Sequence, residues 1–258
     1  MGTLCNGTQQ ITTALLLAAG TGSRLQPLTR DAPKCLTEVN GKTILERLVC
    51  SLRAAGFKRL IVVVGYLDSC IREVLAGSAR GLAIEFVSSP KYRTTNNIYS
   101  LWEARNAIRE PFLLVESDLI FDTVLLEDMR APDRIAISRI LPWMNGTTVA
   151  LDQRQQVTRF RPPGQSAPDQ VIYKTVNMYS FSLSSWRRVT DRLDLHISAG
   201  RVNQYYETVL AELVAEGKLS FQAVFFDNEC WYEIDTLMDL GEAERLFPLS
   251  RRRHASRV

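Results

Sequence analysis

The sequence predicts an α/β fold, a mostly parallel sheet with a smaller mixed α+β lobe. Three observations carry that expectation. The 258 residues are 46% hydrophobic and 23% charged, an ordinary globular composition, and the length suits one large domain with a sizeable core. In the first half, short apolar runs alternate with helical periodicity, the pattern of a parallel sheet covered on both faces. In the second half, short strands follow one another with Pro and Gly between them.

Residues 13–19 form an apolar run ending in a Gly-containing loop, and read as a buried strand. Residues 43–55 place Ile44, Leu45, Leu48, Val49 and Leu52 at helical spacing, with Gly56 as the C-terminal cap. Strand 60–64, helix 67–75, strand 83–87, helix 97–108 and strand 112–115 continue the alternation, the last ending beside Glu116 and Asp118. Strands are then expected at 134–139, 147–151, 157–160 and 171–183, around a turn at Arg161-Pro162-Pro163-Gly164. Helices at 184–195 and 203–216, a strand at 219–226, an extended segment at 231–235 and a helix at 236–246 complete the series. No repeat or low-complexity linker interrupts it, so residues 12–248 read as one domain, with 12–133 as its core and 134–248 as its second part. Residues 1–11 and 249–258 read as tails.

Composition also excludes function classes. The net charge is +3, from 31 basic and 28 acidic residues, without the basic excess expected of a nucleic-acid binder. The run Arg251-Arg252-Arg253 reads as a solvated tail. No apolar run reaches the roughly 20 residues needed to span a bilayer. Residues 1–11 lack a basic segment followed by an apolar one, so no secretory signal is visible, and a cytoplasmic protein without a membrane partner is expected. The five cysteines form no CxxC pair, which argues against structural zinc. His196 and His254 share no neighbourhood with a Ser or Cys motif, so a nucleophilic triad has no support.

Chemistry concentrates after the first strand, in Leu17-Ala18-Ala19-Gly20-Thr21-Gly22-Ser23-Arg24-Leu25. Two glycines let the backbone turn tightly and gather N–H groups into one concavity that suits phosphate oxygens. Arg24, and Lys34 within Ala32-Pro33-Lys34, add positive charge for a polyphosphate. No Gly-Lys-Ser/Thr follows, and Leu25 stands at the third-glycine position, so the loop is neither a Walker A loop nor a full dinucleotide fingerprint.

The segment LLLAAGTGSRLQPLTRDAPKCL resembles the signature of nucleotidyltransferases that transfer NMP from an NTP to a phosphorylated acceptor. Ser89-Pro90-Lys91-Tyr92 with Asn96-Asn97-Ile98-Tyr99-Ser100-Leu101 is similar to a block of choline-phosphate and phosphonate cytidylyltransferases. Lys174-Thr175-Val176-Asn177, Asn203-Gln204-Tyr205-Tyr206-Glu207 and Trp231-Tyr232-Glu233-Ile234-Asp235 look closer to the phosphonate branch. The resemblance implies a Rossmann-like, GT-A-like nucleotidyltransferase domain, nucleotide-binding in 12–133 and acceptor-binding in 134–248. It implies CTP as donor, a small phosphonate or phosphate as acceptor, and Mg²⁺ as cofactor. Residues 17–24, Lys34, Ser89, Tyr92 and Asn97 are then expected at the nucleotide, and Lys174, Asn177 and Trp231 at the acceptor. Ser89 departs from the Asn that many relatives carry before the Pro. Glu116-Ser117-Asp118 replaces the Gly-Asp usual in sugar-nucleotide enzymes.

Mg²⁺ takes oxygen ligands, and Asp118 and Asp235, each just past an apolar stretch, are the expected pair. Glu233, two residues from Asp235, projects to the same face of an extended chain and is the third candidate. Arg24, Lys34 and Lys174 are the expected catalytic cations. A Lys on an apolar strand either points to solvent or finds an anion; the resemblance favours the acceptor's phosphonate for Lys174. Trp143, Tyr173, Trp231 and Tyr232 are either core aromatics or a cage for a quaternary ammonium, which keeps a choline-phosphate acceptor as the rival. A sugar-1-phosphate transferase and a nucleotide-sensing module are more distant rivals. The helices over 184–216 are the candidate face of a homodimer.

Overall fold

Thr13–Ala18 (β1) is buried at every residue, and its side chains alternate between two cores. Ala14, Leu16 and Ala18 enter one core, Leu15 and Leu17 the other. Arg59–Val64 (β4) and Phe112–Glu116 (β6) flank β1 in parallel and repeat the alternation. That is why these strands read as continuous apolar runs rather than amphipathic ones. The computed structural model describes residues 10–141, 144–164, 171–227 and 230–248.

Between β1 and β4 lie a tight hairpin, Glu38–Val39 (β2) and Lys42–Thr43 (β3), and the helix Ile44–Ala54 (α1). The α1 start is set by a capping box: Glu46 N–H donates to Thr43 Oγ1, and Thr43 N–H donates to the Glu46 carboxylate. Asp68–Ser78 (α2) leads to Ala83–Ser88 (β5), parallel to β4. Asn97–Glu103 (α3) precedes β6, and Leu119–Phe121 (β7) and Leu125–Met129 (α4) follow it.

The second part adds Arg134–Arg139 (β8), Thr148–Leu151 (β9), Val157–Arg161 (β10) and the long Tyr173–Phe181 (β11). Leu183–Ser198 (α5), Glu207–Ala215 (α6), Gln222–Phe225 (β12), Trp231–Glu233 (β13) and Leu237–Leu246 (α7) follow. The main sheet runs β10-β9-β11-β6-β1-β4-β5, with β8 on the other edge of β11 and β12 beyond it. Along one edge of β11, β9 pairs with Tyr173 and Lys174, and β6 pairs with residues 178–181. The β8 register shifts between Thr175 and Tyr179, where Asn177 takes a left-handed conformation (φ 56°). The sheet therefore changes partners where the second cleft described below opens.

Several elements differ from the sequence reading. The helix expected from residue 203 starts at Glu207. Asn96 N–H donates to Val202 O (2.9 Å) and Tyr206 N–H to Asn97 Oδ1 (3.0 Å), which tie the preceding turn to α3. The helix expected at 97–108 stops at Glu103 and tightens into a 3₁₀ turn over Ala104–Asn106. The strands expected at 171–183 and 219–226 shorten to β11 and β12. Trp143 and Arg251-Arg252-Arg253 lie outside the described residues. No helix among the described residues is long and apolar enough to cross a membrane.

Candidate active site

β1 lies between β4 and β6 in the parallel part of the sheet. Chain connections diverge on its two sides, and in open α/β sheets the crevice forms at the C-terminal strand ends of such a point. The loop after β1 bends at Gly22, whose φ of 62° is left-handed. A Cβ there would lie 2.9 Å from Lys34 Cβ and 3.1 Å from Thr29 Cγ2. Glycine thus lets the Lys34 segment press against the loop, and Thr29 Oγ1 donates to Gly22 O at 2.8 Å.

The acidic residues come from opposite ends of the chain. β13 pairs antiparallel with β7, setting Glu233 opposite Leu119, and Ile234 N–H donates to Asp118 O at 3.0 Å. This pairing brings one carboxylate oxygen each of Asp118, Glu233 and Asp235 within 4.8 Å of one another. Lys34 Nζ sits between two of them, 2.8 Å from Asp118 Oδ2 and 2.6 Å from Asp235 Oδ1. Arg24 reaches the same Asp235 oxygen at 2.7 Å. Burial disfavours the Lys34 ammonium, but Asp118 and Asp235 outweigh it and hold its pKa above the ordinary lysine range. Asp118 Oδ1 is buried and accepts no hydrogen bond among the described residues. Three convergent carboxylates with one buried free oxygen fit a hard, oxygen-seeking divalent cation such as Mg²⁺.

Two clefts meet at these acids. One, of about 280 Å³, runs along the Gly20–Arg24 loop past Lys34 to Tyr92, Thr95, Asn96 and Ser100. The other, of about 170 Å³, lies over β11 and is lined by Lys174, Asn177, Asn145, Gly146, Glu207 and Glu233. Arg24, Asn97, Glu116, Asp118, Tyr205 and Asp235 line both. In the second cleft Lys174, only 2% exposed, donates to Thr175 O (2.7 Å) and pairs with Glu233 Oε2 (3.1 Å). Burial excludes the solvent-pointing alternative for this lysine. Gly146, at φ 123°, permits its approach, because a Cβ there would lie 2.8 Å from Lys174 Cε. Asn177 Nδ2 donates to Glu233 Oε1 at 3.2 Å. Burial raises Glu233 above the usual carboxylate range, partly offset by Lys174, with Asp118 and Asp235 adding to the rise. Burial likewise pushes Glu207 up to about 7.

The residues expected at the nucleotide divide. Leu17, Ala19, Gly20, Gly22, Ser23, Arg24, Lys34, Tyr92 and Asn97 line the first cleft. Ala18 faces away into the core, and Thr21 is outside the lining. Ser89 is fully buried and hydrogen-bonded to Ser100 (3.0 Å), so Ser100, not Ser89, presents itself to the cleft. Of the expected acceptor residues, Lys174 and Asn177 line the second cleft. Trp231 does not: it packs, half-buried, against the main core at the other end of β13 from Glu233. Tyr173 stacks edge-on against Phe225 at 5.3 Å, and Tyr232 packs on a small core around Ile234. Among the described lining residues of the second cleft the one aromatic is Tyr205, so the described residues form no cage there. Glu116, Tyr205, Glu207, Asn145 and Gly146 had no role in the sequence reading, although Tyr205 and Glu207 fall inside a recognised block.

Comparisons with known proteins place this geometry. The MobA-like NTP transferase domain family matches residues 14–253. The CMP-5'-(3-aminopropyl)phosphonate synthase of Streptomyces rubellomurinus is 30% identical over 91% of this chain, which spans 38% of that protein's length. The 2-aminoethylphosphonate cytidylyltransferase of Lancefieldella rimae is 28% identical over 89% of this chain and 91% of its own. The fold matches the solved CTP:phosphocholine cytidylyltransferase of Streptococcus pneumoniae with a TM-score of 0.76 at 21% identity, covering 92% of this chain and 98% of that one. With the loop, the acids and the paired clefts in place over the matched span, the chain belongs to the MobA-like NTP transferase family.

Proposed function

We propose that this chain is a cytidylyltransferase that joins CMP, taken from CTP, to a small phosphonate or phosphate acceptor and releases pyrophosphate. The observation that carries the reading is that two clefts share one wall, containing Asp118, Asp235 and Arg24. A donor in one and an acceptor in the other would meet at those residues. CTP as donor and phosphonate as acceptor are supported by the similarity to the two phosphonate-related proteins.

In this mechanism an anionic acceptor oxygen bonds to the α-phosphorus of CTP. The bond between that phosphorus and the α–β bridging oxygen breaks, and pyrophosphate leaves with the electron pair. The nucleophile is already ionised, so no Ser, Cys or His is required, and catalysis reduces to positioning and charge neutralisation. The Gly20–Arg24 loop and Lys34 hold the triphosphate and stabilise charge on the leaving group. Lys174 and Asn177 orient the acceptor oxygen from the second cleft. Asp118, Glu233 and Asp235 would hold Mg²⁺, which supplies neutralisation of the phosphate charge when bound.

Pyrophosphate release from CTP and Mg²⁺ against a panel of phosphonates, phosphocholine and glucose 1-phosphate tests the proposal. Turnover is expected with a phosphonate or a small phosphate and not with glucose 1-phosphate, and Asp118→Ala should lower kcat by about 10³-fold. Full activity of that variant with Mg²⁺ would refute the role given to the acids.

A further inference from the structure

His196 is fully buried in the last turn of α5, on the apolar stripe that also carries Trp186, Val189 and Leu193. An aliphatic side chain would complete that stripe at lower cost, because a buried polar ring needs a partner for each nitrogen. Both nitrogens have one. Nε2 lies 3.0 Å from Glu212 Oε2 on α6, and Nδ1 lies 2.9 Å from Oε1 of Gln204, in the turn between the two helices. The first contact duplicates another, since Arg192 on α5 already holds the same Glu212 oxygen at 2.7 Å. The second ties α5 to the turn itself, whose other end is held by Arg201 N–H donating to His196 O at 2.9 Å.

That turn reaches the site. Gln204 immediately precedes Tyr205, which lines both clefts, and Glu207, which opens α6 and lines the second. Asn96 and Asn97 hold the turn from α3 at Val202 and Tyr206, and Gln204 lies between those two anchors. Tyr205 is 57% exposed, so packing does little to fix it.

Resting on the cytidylyltransferase reading, we infer that His196 is a positioning residue for the acceptor. Through Gln204 it fixes the turn that presents Tyr205 and the start of α6 to the second cleft. It lies outside the lining of both clefts, so it acts only through that turn. The donor cleft depends on it less, because the Gly20–Arg24 loop, Lys34 and Tyr92 stand elsewhere in the chain. What the ring adds over an apolar side chain is direction, and the direction is read at the acceptor.

Amide substitutions separate the two ring nitrogens. His196→Asn places an amide where Nδ1 stands and keeps the Gln204 contact, whereas His196→Gln places one where Nε2 stands and keeps the Glu212 contact. Each loses one contact, so a merely structural role would move both variants alike, in step with Tm. Gln204→Met removes the contact from the other side and leaves the buried face of α5 intact. Pyrophosphate release is measured with CTP, Mg²⁺ and, in turn, 2-aminoethylphosphonate, 2-hydroxyethylphosphonate and phosphocholine. Calorimetry reads CTP affinity, and amide hydrogen exchange is followed over residues 199–207. His196→Gln and Gln204→Met are expected to raise acceptor KM and to speed exchange about fivefold, the worth of one hydrogen bond. In both, kcat at saturating acceptor and CTP affinity should stay within about twofold of wild type, and His196→Asn should do so in KM and exchange as well. Equal rises in KM for the two His196 variants, or a Gln204→Met that leaves KM and exchange unchanged, would overturn the positioning role. No pyrophosphate from any of the acceptors would overturn the transferase reading. Exchange sped in His196→Gln and Gln204→Met alone would then still uphold the hold of His196 on the turn, and equal exchange in all variants would overturn it.

Discussion

Lys34 shows how single residues set the state of this site. Its ammonium stands within hydrogen-bond distance of two carboxylates that, with Glu233, form the candidate cation site. Remove that charge and Asp118 loses its cation, while Arg24 on Asp235 and Lys174 on Glu233 offset the repulsion only in part. Lys34→Met is therefore expected to lose about 3 kcal/mol of stability, the range for breaking a buried pair by deleting one partner. Divalent ions should restore part of the loss, and Mn²⁺ should bind the nucleotide-free variant about tenfold more tightly than wild type. Thermal melts and manganese binding by electron paramagnetic resonance read both effects; an unchanged Mn²⁺ affinity would contradict the shared position. The sequence shows Lys34 through the Ala32-Pro33-Lys34 segment after the glycine loop, Asp118 and Asp235 because they border apolar runs, and Glu233 through its spacing from Asp235. It does not show their direct pairing, which depends on β13 meeting β7 across more than 100 positions of chain.

At the scale of elements, the site is a set of ends held together by short connections. Asn97, at the start of α3, donates from Nδ2 to Glu116 on β6, and its Oδ1 accepts from Tyr206 N–H before α6. One side chain thereby couples the end of a central strand to the turn carrying Tyr205 and Glu207. Asn97→Ala should cost about 1–2 kcal/mol of stability, as loss of a half-buried amide's partners does, and raise KM for nucleotide and acceptor together. A rise confined to the nucleotide would contradict the coupling, and steady-state kinetics with both substrates varied decides it. Periodicity makes β1, β4, β6, α1 and α5 legible, because each is a long apolar run or a clear amphipathic helix. The β2–β3 hairpin escapes that reading since its strands have two residues each, although Asn40-Gly41, both at positive φ, is its turn signal. Helix propensity over 203–206 loses to the tertiary bonds from Asn96 and Asn97.

For the whole molecule, the concentration of buried acids makes stability depend on pH. Glu207 titrates near 7 in the folded chain against 4.5 ordinarily, because burial disfavours its charged form. A raised folded pKa favours the native state fully below about 4.5, and that contribution is lost as pH rises through about 7. Wild type is thus expected to lose Tm relative to Glu207→Gln between those values, as differential scanning calorimetry across the range would show. Parallel Tm curves would contradict the rise that burial imposes on Glu207 against its backbone hydrogen bond and Lys174. The mostly parallel sheet and its mixed lobe follow from the changing texture of the sequence. The two-cleft arrangement does not, because it arises where β11 exchanges β9 for β6, a register event without a local sequence signal. Trp231 shows the same limit: the block that contributes Glu233 to the site packs its tryptophan against the core two residues earlier, and the spacing alone does not show which end of β13 borders the cleft.

The central claim, that donor and acceptor meet across the acids shared by the two clefts, is tested most directly by ³¹P nuclear magnetic resonance. The protein is incubated with CTP, Mg²⁺ and 2-aminoethylphosphonate, and the phosphorus species are followed in time. The account predicts loss of the CTP resonances, growth of pyrophosphate, and a mutually coupled pair of signals from a CMP–phosphonate anhydride. CTP left intact with every phosphonate and small phosphate acceptor, or CTP cleaved to free CMP with the acceptor untouched, would contradict it.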